Sequence, residues 1–560
     1  MKLFSKNNLL ILLIFIIAFL LRIYGLNWDD NNHLHPDERF LTMVISDIKL
    51  PSSFLEYFNT NTSPLNPYNY PQYQFFVYGT FPLFLTKILA VLLHLDDYDH
   101  ITLLGRVLSA IFDSGNIILL YFIAKKFLKN YYVYIPSVFY TFLVLPLQLS
   151  HFFAVDTFLN FFILLTFTLF SYNLFYLAFF AFGLALACKI SALYFAPIIF
   201  LFLLKKYLSS KNKFSFLLFT IFFSLLTLLA FRIFQPYAFI DYFKVNPLFI
   251  NNLKDLVTFS DPNSLYPPGV QWINRLPLLN SIKNISVWGL GLVLSLPVLY
   301  LFPGYIFKKF KLKFNLIFII YSWVITLFFY QSTQHVHTMR YFLPIYPFIC
   351  LILVSLLSHL KIKKSLIIFI LILCILSATA FISLYSRPNS RVQASNWVNQ
   401  NIPNGSVLSS EYWDDALPLG YSDYKNISLP LFDSDSDEKW EKINKSLGEI
   451  DYLIMSSNRL WASIPRVPDK YPQASEFYKN LFAEKLNFRK IKEFNSYPGF
   501  SLPFLKSCFY FGPTNYPGIK NNWFSVDKNC SYPGIYLRDD TAEEAFTVYD
   551  HPKVLIFKKK

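Results

Sequence analysis

Long apolar stretches alternate with short basic tracts through the first 385 residues. The apolar segments lie near 9–26, 76–95, 103–124, 132–150, 152–171, 174–204, 214–234, 286–306, 314–331, 341–359 and 365–385. Most approach the ~20 residues that carry a helix across a bilayer, and they predict membrane helices. The first, LLILLIFIIAFLLRIYGL (Leu9 to Leu26), follows a basic start but has no small-residue cleavage site before Trp28, so it is expected to stay in place as a first span. The run 174–204 would measure about 46 Å as one helix at ~1.5 Å per residue, too long for the bilayer core. Lys189 interrupts it, so two short passes meeting outside the membrane are expected there.

Composition agrees with the pattern: 54% of the chain is hydrophobic, 15% is charged, and 63 residues are Phe. The formal charge of +15 would suit nucleic acid in a soluble protein, but here the lysines fall in tracts between apolar runs, so a nucleic-acid partner is discounted. These tracts are Lys2 and Lys6, 125–130, 205–213, 308–313 and 361–364, and all are expected on the cytoplasmic side. Taking each apolar run as one span throws some tracts outside. Parity is restored by splitting 174–204 and by laying 76–95, which contains Pro82 and Lys87, along the outer surface as an interfacial helix. The expected architecture is mainly α: about 11 spans over residues 1–385, N-terminus in and C-terminus out. The first outer loop covers 27–100, and a second, rich in aromatics and proline, covers 235–285. A rival arrangement lets 76–95 span and separates Asp37 from Asp156; it also exposes Lys2 and Lys6, so it ranks second.

After Tyr385 the composition becomes mixed and polar. RVQASNWVNQNI reads as a helix, PNG as a turn, and SVLSS, IDYLIMSS and HPKVLIFKK as strands, which predicts an extracytoplasmic α/β domain over 386–560. Cys508 and Cys530 both fall in it; spacing leaves a disulfide and two free thiols equally open.

Candidate chemistry collects on the predicted outer side. In HLHPDERF (33–40), Pro36 suits a first helical turn and Asp37 and Glu38 suit its positive end, so capping and catalysis are both available to these acids. SHFFAVDTF places Asp156 five residues after His151 at the outer end of a span, where an unpaired acid is costly. Lys189, between two short passes, could snorkel or hold an anion. QSTQHVHTMRYFLPIYPF supplies His335, His337 and Arg340. The guanidinium suits phosphate, whereas the two histidines lack accompanying metal ligands. His35, His151, His335 and His337 remain possible substrate contacts. Arg106 and Asp113, seven residues apart, read as an internal structural pair. Glu411, Asp414 and Asp415 beside Tyr412 and Trp413 suit either a sugar or a small folded core.

Taken in order, the first span, the outer PDE pair, the surface helix, the later outer Asp, the Lys between short passes and RYFLPIYP resemble the C-type membrane glycosyltransferases, including protein O-mannosyltransferases and the lipid A aminoarabinose transferase. The resemblance spans about residues 9 to 385. It implies a polyprenyl-phosphate sugar donor, a protein, glycan or lipid acceptor on the outer face of the cell (plasma or inner) membrane, and inversion at the anomeric carbon. Carried onto this chain, Asp37 matches the base, Glu38 its neighbour and Asp156 the second acid, while Lys189 and Arg340 suit the donor phosphate. A divalent cation held by Asp37, Glu38 and Asp156 is left open. The competing functional class is a transporter or flippase of lipid-linked sugars, which predicts ionisable groups toward both faces.

Overall fold

The computed structural model describes residues 6–241, 244–262, 267–299, 315–420 and 422–560. Lys2 and the lysine tract at 308–313 lie outside the described residues. Among the described residues the chain is mainly helical, with its strands within 407–559. Among the described residues six helices are long and apolar enough to cross a membrane: Tyr98–Ala124, Ile190–Ser209, Lys213–Phe234, Leu316–Thr333, Met339–His359 and Lys364–Asn401. Shorter apolar helices cover Leu9–Ile23, Thr80–Leu92, Val155–Ser171 and Phe175–Cys188. Leu218, Phe222, Leu225 and Leu229 stand exposed on one face of Lys213–Phe234, as do Leu366, Phe369, Ile372 and Leu376 on the helix that begins at Lys364. Such stripes are suited to lipid and not to water.

Two breaks bear on the site. Residues 132–150, expected as one helix, form Ile135–Thr141 and Val144–Ser150. Pro146 cannot donate to the Phe142 carbonyl four residues earlier, and its ring crowds that oxygen. The 174–204 run divides where expected: Phe175–Cys188 ends at Lys189, whose backbone is extended, and a 3₁₀ turn at Ile190–Phe195 leads into Ala196–Ser209.

The buried charges pair differently from the sequence expectation. Arg106 and Asp113 do not bond each other: Asp113 accepts from Arg22 at 2.6 Å and from the Tyr140 hydroxyl at 2.6 Å, while Arg106 turns to Asp29 and Glu38 beyond the first helix. Seven residues on one helix span about two turns, ~10.5 Å, so each charge finds a nearer partner on another element.

In the C-terminal region β1 (Val407–Glu411), β2 (Lys425–Leu429), β3 (Tyr452–Met455), β4 (Phe488–Phe494) and β9 (Val554–Lys559) form a five-stranded sheet ordered β2-β1-β3-β9-β4. β1 runs parallel to β2 and β3, and β9 is antiparallel to β3 and β4. A second sheet, β5-β8-β6-β7, is built from β5 (Gly499–Ser501), β6 (Cys508–Phe511), β7 (Phe524–Asp527) and β8 (Gly534–Leu537). Cys508 and Cys530 are joined by a disulfide in this region, and Cys188, Cys350 and Cys374 are buried free thiols.

The acids of SSEYWDD are structural. Arg391 donates to both Asp414 and Asp415, and Asp415 also accepts from Arg39 at 2.9 Å, tying the sheet region to the helix that carries Asp37. Glu411 is buried and accepts the Tyr478 hydroxyl; burial, aided by nearby Asp414, pushes its carboxyl up to about 8 against the opposing Tyr478 bond. The folded chain therefore holds a proton here that the unfolded chain releases near pH 4.5. The stabilisation is full below that value and is lost as pH rises to about 8. Glu411→Gln, which cannot ionise, is expected to remove this loss. A tenfold change in proton affinity corresponds to about 1.4 kcal/mol, so the variant should exceed wild type in stability by a few kcal/mol above pH 8. Thermal unfolding across the pH range checks this, and parallel pH dependence in the two proteins would refute it.

Candidate active site

The helix Pro36–Asp47 begins with Pro in its first turn, and the His35 imidazole accepts from the Glu38 amide. This start aims the two acids in different directions. Asp37 faces a partly open space, where Arg340 donates to it at 2.5 Å, and both side chains are about one-fifth exposed. Lys189, at the break between Phe175–Cys188 and the following turn, pairs with Asp156 in the first turn of Val155–Ser171 at 2.8 Å. Tyr341 joins the pairs: its ring lies 4.6 Å from the Lys189 ammonium and 5.6 Å from the Arg340 guanidinium. The result is two ion pairs whose cations meet across the Tyr341 ring, drawn from four separate elements. Burial pushes the Asp37 carboxyl up, but Arg340, with smaller help from His35 and Lys189, prevails and holds it at about 2.

Glu38 is turned inward and has no exposed surface. It accepts from Arg106 through both oxygens, at 2.5 and 2.9 Å, and from the Phe153 amide at 2.7 Å. Arg106 also makes a two-pronged contact with Asp29, at 3.0 and 2.8 Å, donates to the Leu26 carbonyl, and lies 4.8 Å from the Trp28 ring. One buried guanidinium thus fastens the segment after the first helix to the helix Tyr98–Ala124, and Glu38 fastens the turn that leads to Asp156. Asp37 and Asp156 accordingly lie at the same end of the helical bundle. Gly79 completes the frame: its amide donates to the Cys188 carbonyl at 3.0 Å, and a Cβ there would sit 2.0 Å from the Ala187 oxygen, so only glycine lets the loop dock beside Lys189.

The histidines divide. His35 is wedged between Phe152 and Tyr549, with ring centroids 4.5 and 4.4 Å away, directly behind Asp37. His151 is held by the Leu147 and Tyr24 carbonyls and stacks on Tyr385 at 3.9 Å, leaving neither ring nitrogen for a ligand. His337 bonds Asn280 at 2.9 Å, and His335 lies by Trp272, so both face the 267–284 segment rather than Asp37. Asp37, Glu38 and Asp156 do not form a metal-ligand set among the described residues. Each is engaged by its own cation, Arg340, Arg106 and Lys189 respectively.

Two contributors come from the C-terminal region and carry no sequence signal. Tyr549 backs His35. Glu543 accepts the Thr338 hydroxyl and the Met339 amide, both at 2.6 Å, and so fixes the backbone immediately before Arg340. The stretch TAEEAF reads only as the start of a short helix; nothing local marks Glu543 as reaching another region.

No protein-family model and no curated protein matches the chain. Solved structures do. The oligosaccharyltransferase of Archaeoglobus fulgidus, in its complex with Zn and sulfate, is 14% identical over 83% of this chain and 71% of that one, with a TM-score of 0.48. The archaeal oligosaccharyltransferase AglB from the same organism, bound to an inhibitory peptide and a dolichol-phosphate, is 13% identical over 85% and 73%, with a TM-score of 0.45. ArnT from Cupriavidus metallidurans, bound to undecaprenyl phosphate, is 12% identical over 87% of this chain and 97% of that one, with a TM-score of 0.41. ArnT is the lipid A aminoarabinose transferase, one of the relatives that the ordered motifs resemble.

Proposed function

We propose that the chain is an integral membrane glycosyltransferase that moves a sugar from a polyprenyl-phosphate donor to an acceptor on the outer face of the cell membrane, with inversion and with Asp37 as general base. The observation that carries the reading is the Asp37–Arg340 pair beside Lys189 and Asp156 at one end of an apolar bundle. Two cations within reach of one partly open space suit a phosphate, and each is already held by a carboxylate. A phosphate arriving at Arg340 competes with Asp37 for the guanidinium. Its binding frees the carboxylate and raises its affinity for a proton, so the base becomes competent when the donor is in place.

The acceptor hydroxyl then attacks the anomeric carbon and its proton passes to Asp37. The bond from that carbon to the phosphate oxygen breaks, and polyprenyl phosphate leaves with the bonding pair, stabilised by Arg340 and Lys189. A single displacement inverts the anomeric centre. Glu38 acts as a positioning residue, because its oxygens are already committed to Arg106 and Phe153. An apolar groove of about 230 Å³, lined by Ile285, Leu290, Val298, Val324, Phe328 and Ile349, offers room for part of an isoprenoid chain.

The reconstituted protein, offered a panel of labelled polyprenyl-phosphate sugars and a crude acceptor extract, is expected to release polyprenyl phosphate from one of them. If none turns over while a lipid-linked sugar crosses between leaflets, the protein is a flippase instead.

A further inference from the structure

A second group of cations lies on the far side of Glu543. Residues 271–284 and the C-terminal region enclose a cleft of about 140 Å³ into which Arg275, Lys283, Arg459 and Arg466 project. Glu544 neutralises Arg459 through a contact of 2.6 Å. The other three form no ion pair among the described residues. Lys283 donates to the Thr541 carbonyl at 3.2 Å, and Arg466 donates to the Gln271 and Ile273 carbonyls, both at 3.1 Å; these acceptors are neutral. Arg275 makes no side-chain hydrogen bond among the described residues. The remaining acid of the cleft, Glu543, spends its oxygens on Thr338, Met339 and Asn284. Trp272, also in the lining, has a buried indole N–H without a hydrogen-bond partner among the described residues.

Like charges gathered in a half-buried cleft repel one another unless an anion joins them. Arg275 and Arg466 both disfavour the charge on Lys283, and Arg275 disfavours that on Arg466. Four cations set against Glu543 and Glu544 leave an excess of about two positive charges, and with planar guanidinium forks this suits a multiply charged phosphate better than a carboxylate. The cleft is also adjacent to the proposed reaction centre: Glu543 takes Asn284 from the cleft with one oxygen and the Met339 amide, next to Arg340, with the other. Two cation clusters divided by one acid can hold two anions at once.

We propose that this cleft binds a phosphate group of the acceptor, held by Arg275, Lys283 and Arg466 while the donor phosphate occupies Arg340 and Lys189. The acceptor assignment rests on the transferase reading; the anion site itself does not.

Inorganic pyrophosphate is the probe, titrated onto the full-length protein in phosphatidylcholine nanodiscs. An Asp37→Asn/Arg340→Gln background removes one of the two donor-side cations together with its carboxylate partner and leaves Lys189 paired with Asp156, and this protein is expected to retain pyrophosphate binding. Adding Arg275→Gln and Lys283→Gln is expected to raise the dissociation constant at least tenfold. The added changes relieve repulsion, so the variant is expected to be no less heat-stable than its background. Phosphatidylglycerol in place of phosphatidylcholine tells the sources apart: competition with the probe assigns a lipid headgroup phosphate, and unchanged binding assigns a phosphate on a soluble or polymeric acceptor. Loss of all binding in the background protein, or unchanged binding in the cleft variant, overturns the site. Donor turnover is measured separately, so a failed cleft and a failed transferase reading give different results.

Discussion

Asp37→Asn is expected to lower the turnover number for sugar transfer by roughly 10²–10⁴-fold, the usual contribution of a positioned general base. The substitution changes charge and basicity with little change of shape. The turn starting at Pro36 keeps its geometry, because His35 and not Asp37 receives the Glu38 amide. A second consequence separates a base from a merely structural acid. In the wild type Arg340 is occupied by Asp37 at 2.5 Å, and in the proposed reaction the donor phosphate has to displace that carboxylate. With asparagine the competing charge is gone, so KM for the donor is expected to fall while kcat collapses. Initial rates of polyprenyl phosphate release at varied donor concentration read both quantities. A near-normal kcat in a well-folded variant would remove Asp37 from the chemistry, and a kcat loss with a higher donor KM would make its role one of holding Arg340.

Arg106→Met is expected to cost about 3–5 kcal/mol of stability, the range found when one partner is taken from a buried ion cluster. Arg106 has no exposed surface and compensates Asp29 and Glu38, both buried. Methionine fills a similar volume but leaves two carboxylates in an apolar setting with too few donors. The segment after the first helix and the Phe153 turn would separate from the bundle, and Asp37 would lose its position along with the fold. Thermal unfolding and the yield of monodisperse protein measure the loss. The triple variant Arg106→Met/Asp29→Asn/Glu38→Gln is expected to recover most of it, since the penalty lies in uncompensated charge. If the single variant unfolds at the wild-type temperature, the cluster does not hold the segment.

Much of the helical part was legible because its signal is local. A run such as residues 214–234, apolar on every side, reads as a membrane helix without reference to any other segment, and Lys189 inside a 31-residue apolar run predicted the break that Phe175–Cys188 and Ala196–Ser209 display. The interruption at Phe142 was not legible in the same way although Pro146 stands in view, since the apolar length of 132–150 outweighs one proline. The short strands β5 to β8 carry no alternation long enough to detect, and the disulfide between Cys508 and Cys530 depends on their meeting in space.

Asp156 and Arg340 were noticeable in the sequence as ionisable groups at the ends of apolar runs, Lys189 as a charge inside one, where an unpaired charge is costly, and Asp37 as part of a charged cluster beyond the first run. The sequence alone also determined that Arg106 and Asp113, inside one apolar run, needed partners, because burying either unpaired would be prohibitive. Only the tertiary structure decided who those partners are: Arg340 for Asp37, Lys189 for Asp156, Arg106 for Glu38 and Asp29, and Glu543, from another region, for the backbone before Arg340. The reason is physical. Hydrophobic periodicity and charge cost act over a few residues and are written in order along the chain, whereas an ion pair is chosen by distance, and the sequence separation of 303 between Asp37 and Arg340 says nothing about which of 50 basic side chains folding brings within 2.5 Å.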